Sequence, residues 1–173
     1  MVFPTIRDRD IQIDELKIEH LPVVLSLYNT EANMRYATGK SEPISLDKLT
    51  KEFIKQRDSE KIKFLGVFRY NCLIGKITIQ LGFERKIIWL RLIMIDKNYQ
   101  RQGNGSRAIG LIEKTMAKRN FRTIYISVIK QNKVGINFWY KNAYREVNYV
   151  GNKKNIYKMK QKKRYLLMYK ELI

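Results

Sequence analysis

Apolar positions along this chain change period several times, and each change marks an element. Ile11 to Ile13 opens a strand, and Leu21, Val24, Leu25 and Tyr28 then recur at helical spacing, with Pro22 tolerated in the first turn. Ser45 caps a second helix, whose Leu46, Leu49 and Phe53 share a face. Between the two helices NTEANMRYATGKSEP has no period and is expected to form a long irregular loop, of the kind that often carries function. Two alternating runs follow, Phe64 to Tyr70 and Ile74 to Leu81, with Asn71 marking a hairpin. In the second run Ile77, Ile79 and Leu81 point one way and Lys76, Thr78 and Gln80 the other. Ile87 to Ile95 is apolar except at Arg91, the pattern of a central strand buried on both faces.

Next comes YQRQGNGSRAIG, then a helix with Ala108, Ile109, Ile112 and Met116 on its apolar face, then a strand from Ile124 to Ile129. This is a βαβ unit whose strands should be parallel neighbours. Val134, Ile136, Phe138 and Tyr140 place a helix within Asn132 to Tyr144, and Glu146 to Val150 and Tyr165 to Tyr169 read as closing strands. The order predicts one α/β domain over residues 1–173: a mixed, mostly antiparallel sheet with one parallel βαβ unit, flanked by helices.

Composition narrows the chemistry. His20 is the one histidine and Cys72 the one cysteine, so neither a disulfide nor a usual zinc set can be assembled, and no metal site is expected. Both are read as structural. Ser-His-Asp and Cys-His catalysis are disfavoured for the same reason. The first residues, MVFPTIRDRD, are charged, and no stretch suits a membrane span, so the cytoplasm is the expected location and a membrane is not an expected partner. Lys and Arg total 35 against 16 Asp and Glu, a formal charge of +19 that favours anionic partners or reflects a solvated basic surface.

Gly103 and Gly105 sit between a strand and a helix, where backbone N–H groups and a helix dipole can cradle a phosphate, with Arg101 and Arg107 adding charge. A tight turn without a ligand is the alternative. A dinucleotide fingerprint would need an acidic residue about 20 positions on, and TIYISVIKQN has none; a P-loop would need G-K-[ST].

Gln100 to Gly105 matches Q/R-x-x-G-x-G/A, and this stretch resembles the pyrophosphate signature of the GNAT N-acetyltransferase family. IMIDKNYQRQGNGSRAIGLIEKTM resembles the strand, loop and helix that carry it, and NKVGINFWYKNAY is similar to the family's N-x-x-A-x-x-L/F-Y-x-K-x-G-F. The corresponding residues are Asn132, Gly135, Phe138, Lys141, Ala143 and Tyr144. The resemblance spans essentially the whole chain and is strongest from Ile87 to Tyr144.

It implies transfer of an acetyl group from acetyl-CoA to a primary amine or N-terminus within a ternary complex. The backbone of Ile93, Met94 and Ile95 would bind the pantetheine arm and polarise the thioester carbonyl, a use of backbone N–H groups that is physically coherent. Gln100, Arg101, Gln102, Gly103, Asn104, Gly105 and Ser106 would hold the pyrophosphate, with Asn132 and Trp139 also at the cofactor.

Proton handling departs from the family pattern. An attacking amine of pKa about 10 must lose a proton, and a thiolate near 8.5 can need one. The family's tyrosine acid corresponds to Trp139, whose indole cannot serve, and Tyr140 lies about 100° around the helix. The carboxylate positions of relatives fall on Trp89 or Leu90 and on Ser127. Glu31, Glu84 and Asp96 are the remaining acids considered, Tyr144 is assigned to the core, and water-mediated deprotonation is expected. Asn132, Trp139 and Ser127 are the candidate catalytic residues.

Lys153, Lys154, Lys158, Lys160, Lys162, Lys163 and Arg164 accumulate in a stretch without acids, which disfavours polyamine acceptors and favours one bearing phosphate or carboxylate or embedded in RNA. The sequence thus admits a transferase for a small-molecule or protein amine, one for an RNA- or ribosome-associated amine, an acetyl-CoA-binding protein without turnover, or a basic RNA-binding module.

Overall fold

The computed structural model describes residues 3–38, 41–147 and 164–172. Its eight strands form one sheet in the order β1-β2-β3-β4-β5-β6-β8-β7. These are β1 (Ile6–Asp8), β2 (Ile11–Glu15), β3 (Ile62–Arg69), β4 (Cys72–Gly82), β5 (Ile87–Ile95), β6 (Thr123–Ile129), β7 (Arg145–Glu146) and β8 (Tyr165–Glu171). Every neighbouring pair is antiparallel except β5 and β6, which are parallel and joined through α4 (Asn104–Lys118).

Two apolar clusters lie on opposite faces, because successive strand residues point to opposite sides. Leu65, Ile77, Ile79, Leu90 and Ile126 bury one face against Ala108, Ile109, Ile112 and Met116 of α4 and Trp139 of α5 (Lys133–Lys141). On the other face α1 (Leu21–Tyr28) and α3 (Leu46–Arg57) bury Leu21, Val24, Leu49 and Phe53 with Phe64 and Leu73 beneath them. The Ser45 side chain accepts from Lys48 N–H at 3.2 Å, the expected cap of α3.

Several expectations are corrected. The segment read as an irregular loop contains the short helix α2 (Glu31–Asn33), capped by Thr30, and a π-helical turn, Met34–Thr38, that lies against β5. These turns are too short to show a period in the sequence. β1 was not expected for the same reason. β5 is not buried on both faces: Ile88, Leu90 and Met94 are buried, Trp89, Ile93 and Ile95 are half-buried and Arg91 is exposed. Cys72 is exposed at the start of β4 rather than packed. Of the strand expected at Glu146 to Val150, β7 covers Arg145–Glu146, while 148–150 and most of the lysine-rich stretch lie outside the described residues.

Two local devices fix the elements beside the parallel pair. Asp10, in the β1–β2 turn, accepts from Arg69 Nε and Arg107 Nη2 at 2.7 Å each, tying the hairpin to β3 and to the first turns of α4. At the end of α5, Tyr144 N–H donates to Trp139 C=O and Ala143 N–H to Tyr140 C=O, with the Trp139 and Tyr144 rings 4.8 Å apart. This is the Schellman pattern with its apolar contact.

Ala143 occupies the left-handed position of that cap at φ 65°, where a Cβ is strained. Ala143→Gly is therefore expected to stabilise the fold by about 1 kcal/mol, seen as a rise of about 3 °C in Tm. The bonds from Arg107 and Arg69 hold the Asp10 carboxyl down at about 2, below its ordinary 3.8. A depressed carboxylate stabilises above its ordinary pKa and loses that contribution as pH falls through the folded value. Asp10→Asn should lower Tm at pH 7, and melting curves should show the deficit closing between about pH 4 and pH 2.

Candidate active site

The parallel pair is short. β5 and β6 are paired only from Ile87 with Thr123 to Leu90 with Ile126, although both strands run on. Beyond that point β5 stays with β4 as far as the Ile95–Gly75 pair, while β6 stays with β8 as far as the Ile129–Tyr165 pair. The sheet therefore parts between Arg91–Ile95 on one side and Ser127–Ile129 on the other, and the facing backbone groups lose their ladder partners. A bulge sits where the parting begins: Leu90 pairs with Ile79 and Leu92 with Thr78, leaving Arg91 unmatched and exposed. An extra residue bends a strand locally. Ser127 is the first residue of β6 past the parting and is exposed.

The segment after β5 is braced by its own side chains. Asp96 accepts from Asn98 N–H at 2.8 Å, and Gln100 Nε2 donates to Ile95 C=O at 2.7 Å. Gln102 Nε2 donates to Asn98 C=O at 2.7 Å, while its Oε1 accepts from Arg69 at 3.0 Å. Asn104 is buried and donates to Tyr99 C=O at 2.8 Å. Gln100, Gln102 and Asn104, residues expected at the cofactor, thus use their side chains to shape the loop. What they present is backbone: Gly103, left-handed at φ 79°, starts α4, and the next N–H groups lie in its first turn, where a helix has no internal acceptor for them. Arg101 and Ser106 are exposed beside them.

Gly105 has a second reason to be glycine, since a Cβ there would stand 3.2 Å from the Phe138 ring of α5. Arg107 does not add free charge to the turn as expected; Asp10 and the Asp8 carbonyl hold it.

The motif on α5 is largely structural. Asn132 caps the helix, its Oδ1 accepting from Gly135 N–H at 2.8 Å. Trp139, expected at the cofactor, is 5% exposed and packed edge-on between Phe138 and Tyr144. Tyr140 faces away from the core, as its helical position requires, and donates to Glu146. Tyr144 is buried as expected. None of the three acids is a buried base: Asp96 is a cap, Glu31 is exposed and pairs with Arg35 at 3.4 Å, and Glu84 is exposed at the opposite end of β5.

One pair escaped the sequence reading. Lys76, assigned to a polar strand face, is 3% exposed on β4 directly across from Met94. Its Nζ donates to Tyr28 Oη at 2.8 Å and lies 4.7 and 4.8 Å from the Tyr28 and Phe64 ring centroids. Burial pulls the ammonium down to about 8 against the opposing field of Glu52, and burial pushes the Tyr28 hydroxyl up to about 12. A lysine between Gly75 and Ile77 in a long, largely apolar strand was the available signal.

A sheet that parts beside a helix N-terminus offers main-chain groups to a long, anionic ligand. The chain belongs to the acetyltransferase (GNAT) family, whose model matches residues 24–144. It is 29% identical over 144 residues to a spermidine N(1)-acetyltransferase of Thermoplasma acidophilum, covering 78% of this chain and 88% of the relative. Among solved structures it resembles the PaiA N-acetyltransferase of Thermoplasma acidophilum in complex with coenzyme A. That match has a TM-score of 0.69 and 23% identity, over 93% of this chain and 98% of the other. It also resembles an acetyltransferase of Salmonella typhimurium that modifies the N-terminal serine of ribosomal protein L7/L12, with a TM-score of 0.74 and 14% identity over 96% of each chain. The protein is an acetyl-CoA-dependent N-acetyltransferase. Among the described residues no helix is long and apolar enough to cross a membrane.

Proposed function

We propose that acetyl-CoA lies in the parting between β5 and β6, with its pyrophosphate on the N–H groups of residues 103–106 and its pantetheine arm along Ile93, Met94 and Ile95. The observation that carries this reading is the loss of pairing beyond Leu90 and Ile126, directly before the left-handed Gly103 that opens α4. The cofactor supplies an activated acetyl thioester. The chain supplies N–H groups that stabilise negative charge on the carbonyl oxygen during attack, and a cleft that holds amine and thioester together. Ser127 lines the far wall of that cleft, and Asn132 fixes α5 at its end.

With α4 and α5 on the cofactor's face, the acceptor amine approaches from the face that carries α1 and the Met34–Thr38 turn. Trp139 is sealed in the core and no named carboxylate faces the parting, so the amine is taken in its neutral form or deprotonated through water. The net charge of +19 favours an acceptor whose amine is accompanied by an anionic group such as a phosphate or carboxylate.

Ser106 tests the cofactor seat cleanly. It is exposed in the first turn of α4, where a carboxylate stabilises a helix by about 0.5 kcal/mol yet repels a phosphate. Ser106→Glu should melt no lower than the native protein and lose at least about tenfold in acetyl-CoA affinity by calorimetry. Undiminished affinity in the folded variant would place the cofactor elsewhere.

A further inference from the structure

The buried Lys76 has no ion-pair partner among the described residues. Burying a lysine without a carboxylate is costly, and a fold that only needed to fill this site could use methionine. Lys76 sits across from Met94, in the middle of the β5 segment assigned to the cofactor, and on the face of α1 rather than of α4.

The donor inventory of this face is lopsided. An ammonium has three donors and no acceptor. One of Lys76's donors goes to Tyr28 Oη, and the charge rests against the Tyr28 and Phe64 rings. Because the phenol oxygen accepts from Lys76, its own proton must be directed elsewhere. Tyr28 is the last residue of α1 and is half-buried, whereas the Lys76 beneath it is sealed. Arg91, exposed at the β5 bulge, is a further donor close enough for its charge to act on Tyr28. Glu52 of α3 acts on both Tyr28 and Lys76 and, among the described residues, is the one carboxylate whose field reaches the pair. Two cations, Lys76 and Arg91, and one exposed acid, Glu52, thus act on the Tyr28 hydroxyl.

We propose that Lys76 and Tyr28 form the specificity element of the acceptor side: a fixed cation holds the phenol so that its O–H binds the first carbonyl oxygen of a polypeptide, selecting an N-terminal α-amine over a polyamine. Lys76 is a positioning residue, acting through Tyr28. A polyamine offers this surface only cations and N–H donors, which face other donors. A chain terminus carries a carbonyl oxygen three bonds from its amine nitrogen. The protonation chemistry agrees. Without a carboxylate base, an α-amine of pKa about 7.8 is neutral about a hundred times more often at pH 7 than an amine of pKa about 10. The inference rests on the placement of acetyl-CoA along β5 proposed above.

The experiment compares kcat/KM for a short peptide with a free N-terminal serine and for spermidine, in the native protein, Lys76→Met and Tyr28→Phe. Acetyl-CoA affinity is measured in parallel by calorimetry without acceptor. The native protein should prefer the peptide. Each variant should reduce the peptide-to-spermidine ratio about tenfold, the effect of one partly screened charge or one hydrogen bond, chiefly through the peptide's KM. Acetyl-CoA affinity should not change. Lys76→Met should melt no lower than native at pH 7, because it removes a buried charge. A native preference for spermidine, or an unchanged ratio in both folded variants, would overturn the proposal. Failure of the native protein to bind acetyl-CoA would overturn the cofactor placement instead and the inference with it, a result read before any acceptor is added.

Discussion

β5 cannot follow β4 and β6 at once. It is hydrogen-bonded to β4 along its length, and β6 is held by β8 along its own, so the parallel contact between them survives over four pairs and then fails. Unpaired backbone groups inside a protein need partners. Here the parting leaves them where a long, thin ligand with amide and thioester groups can supply them. The bulge at Arg91 starts the parting, the braced segment 96–103 turns the chain through it, and α4 begins with its amides at the same end. The Asp10 clamp then holds α4 against the hairpin on its far side.

Much of this frame was legible in the sequence, because long periodic elements declare themselves. The α4 stripe, the Ser45 cap and the β5–α4–β6 unit all follow from apolar spacing and turn chemistry. Short, aperiodic pieces were not legible. β1 has three residues, and the Met34–Thr38 turn shows no apolar repeat. The parting of β5 and β6 was beyond reach for a different reason: it depends on which neighbour each strand keeps, and pairing is not written in either strand alone.

The motif residues teach a related lesson. Gln100, Gln102, Asn104 and Asn132 stand at motif positions, and their side chains close hydrogen bonds within the chain. Motif positions can be held by the geometry they impose on the backbone as well as by what they touch. Trp139, in turn, fills the core with Phe138 and Tyr144. Lys76 is the converse case. A polar residue in an alternating strand reads as solvent-facing, yet the packing of α1 over β4 encloses it. The two faces of the sheet are therefore furnished differently, with the N-terminal amides of α4 on one and the buried Lys76 on the other.

The central claim is that the cofactor occupies the parting between β5 and β6. Amide hydrogen exchange with and without coenzyme A tests it most directly, since each amide reports its own hydrogen bond. New protection concentrated at residues 92–95 and 103–106 is the result this account predicts. No change there, with protection instead at the arginine-lined groove of Arg7, Arg9 and Arg69, would contradict it.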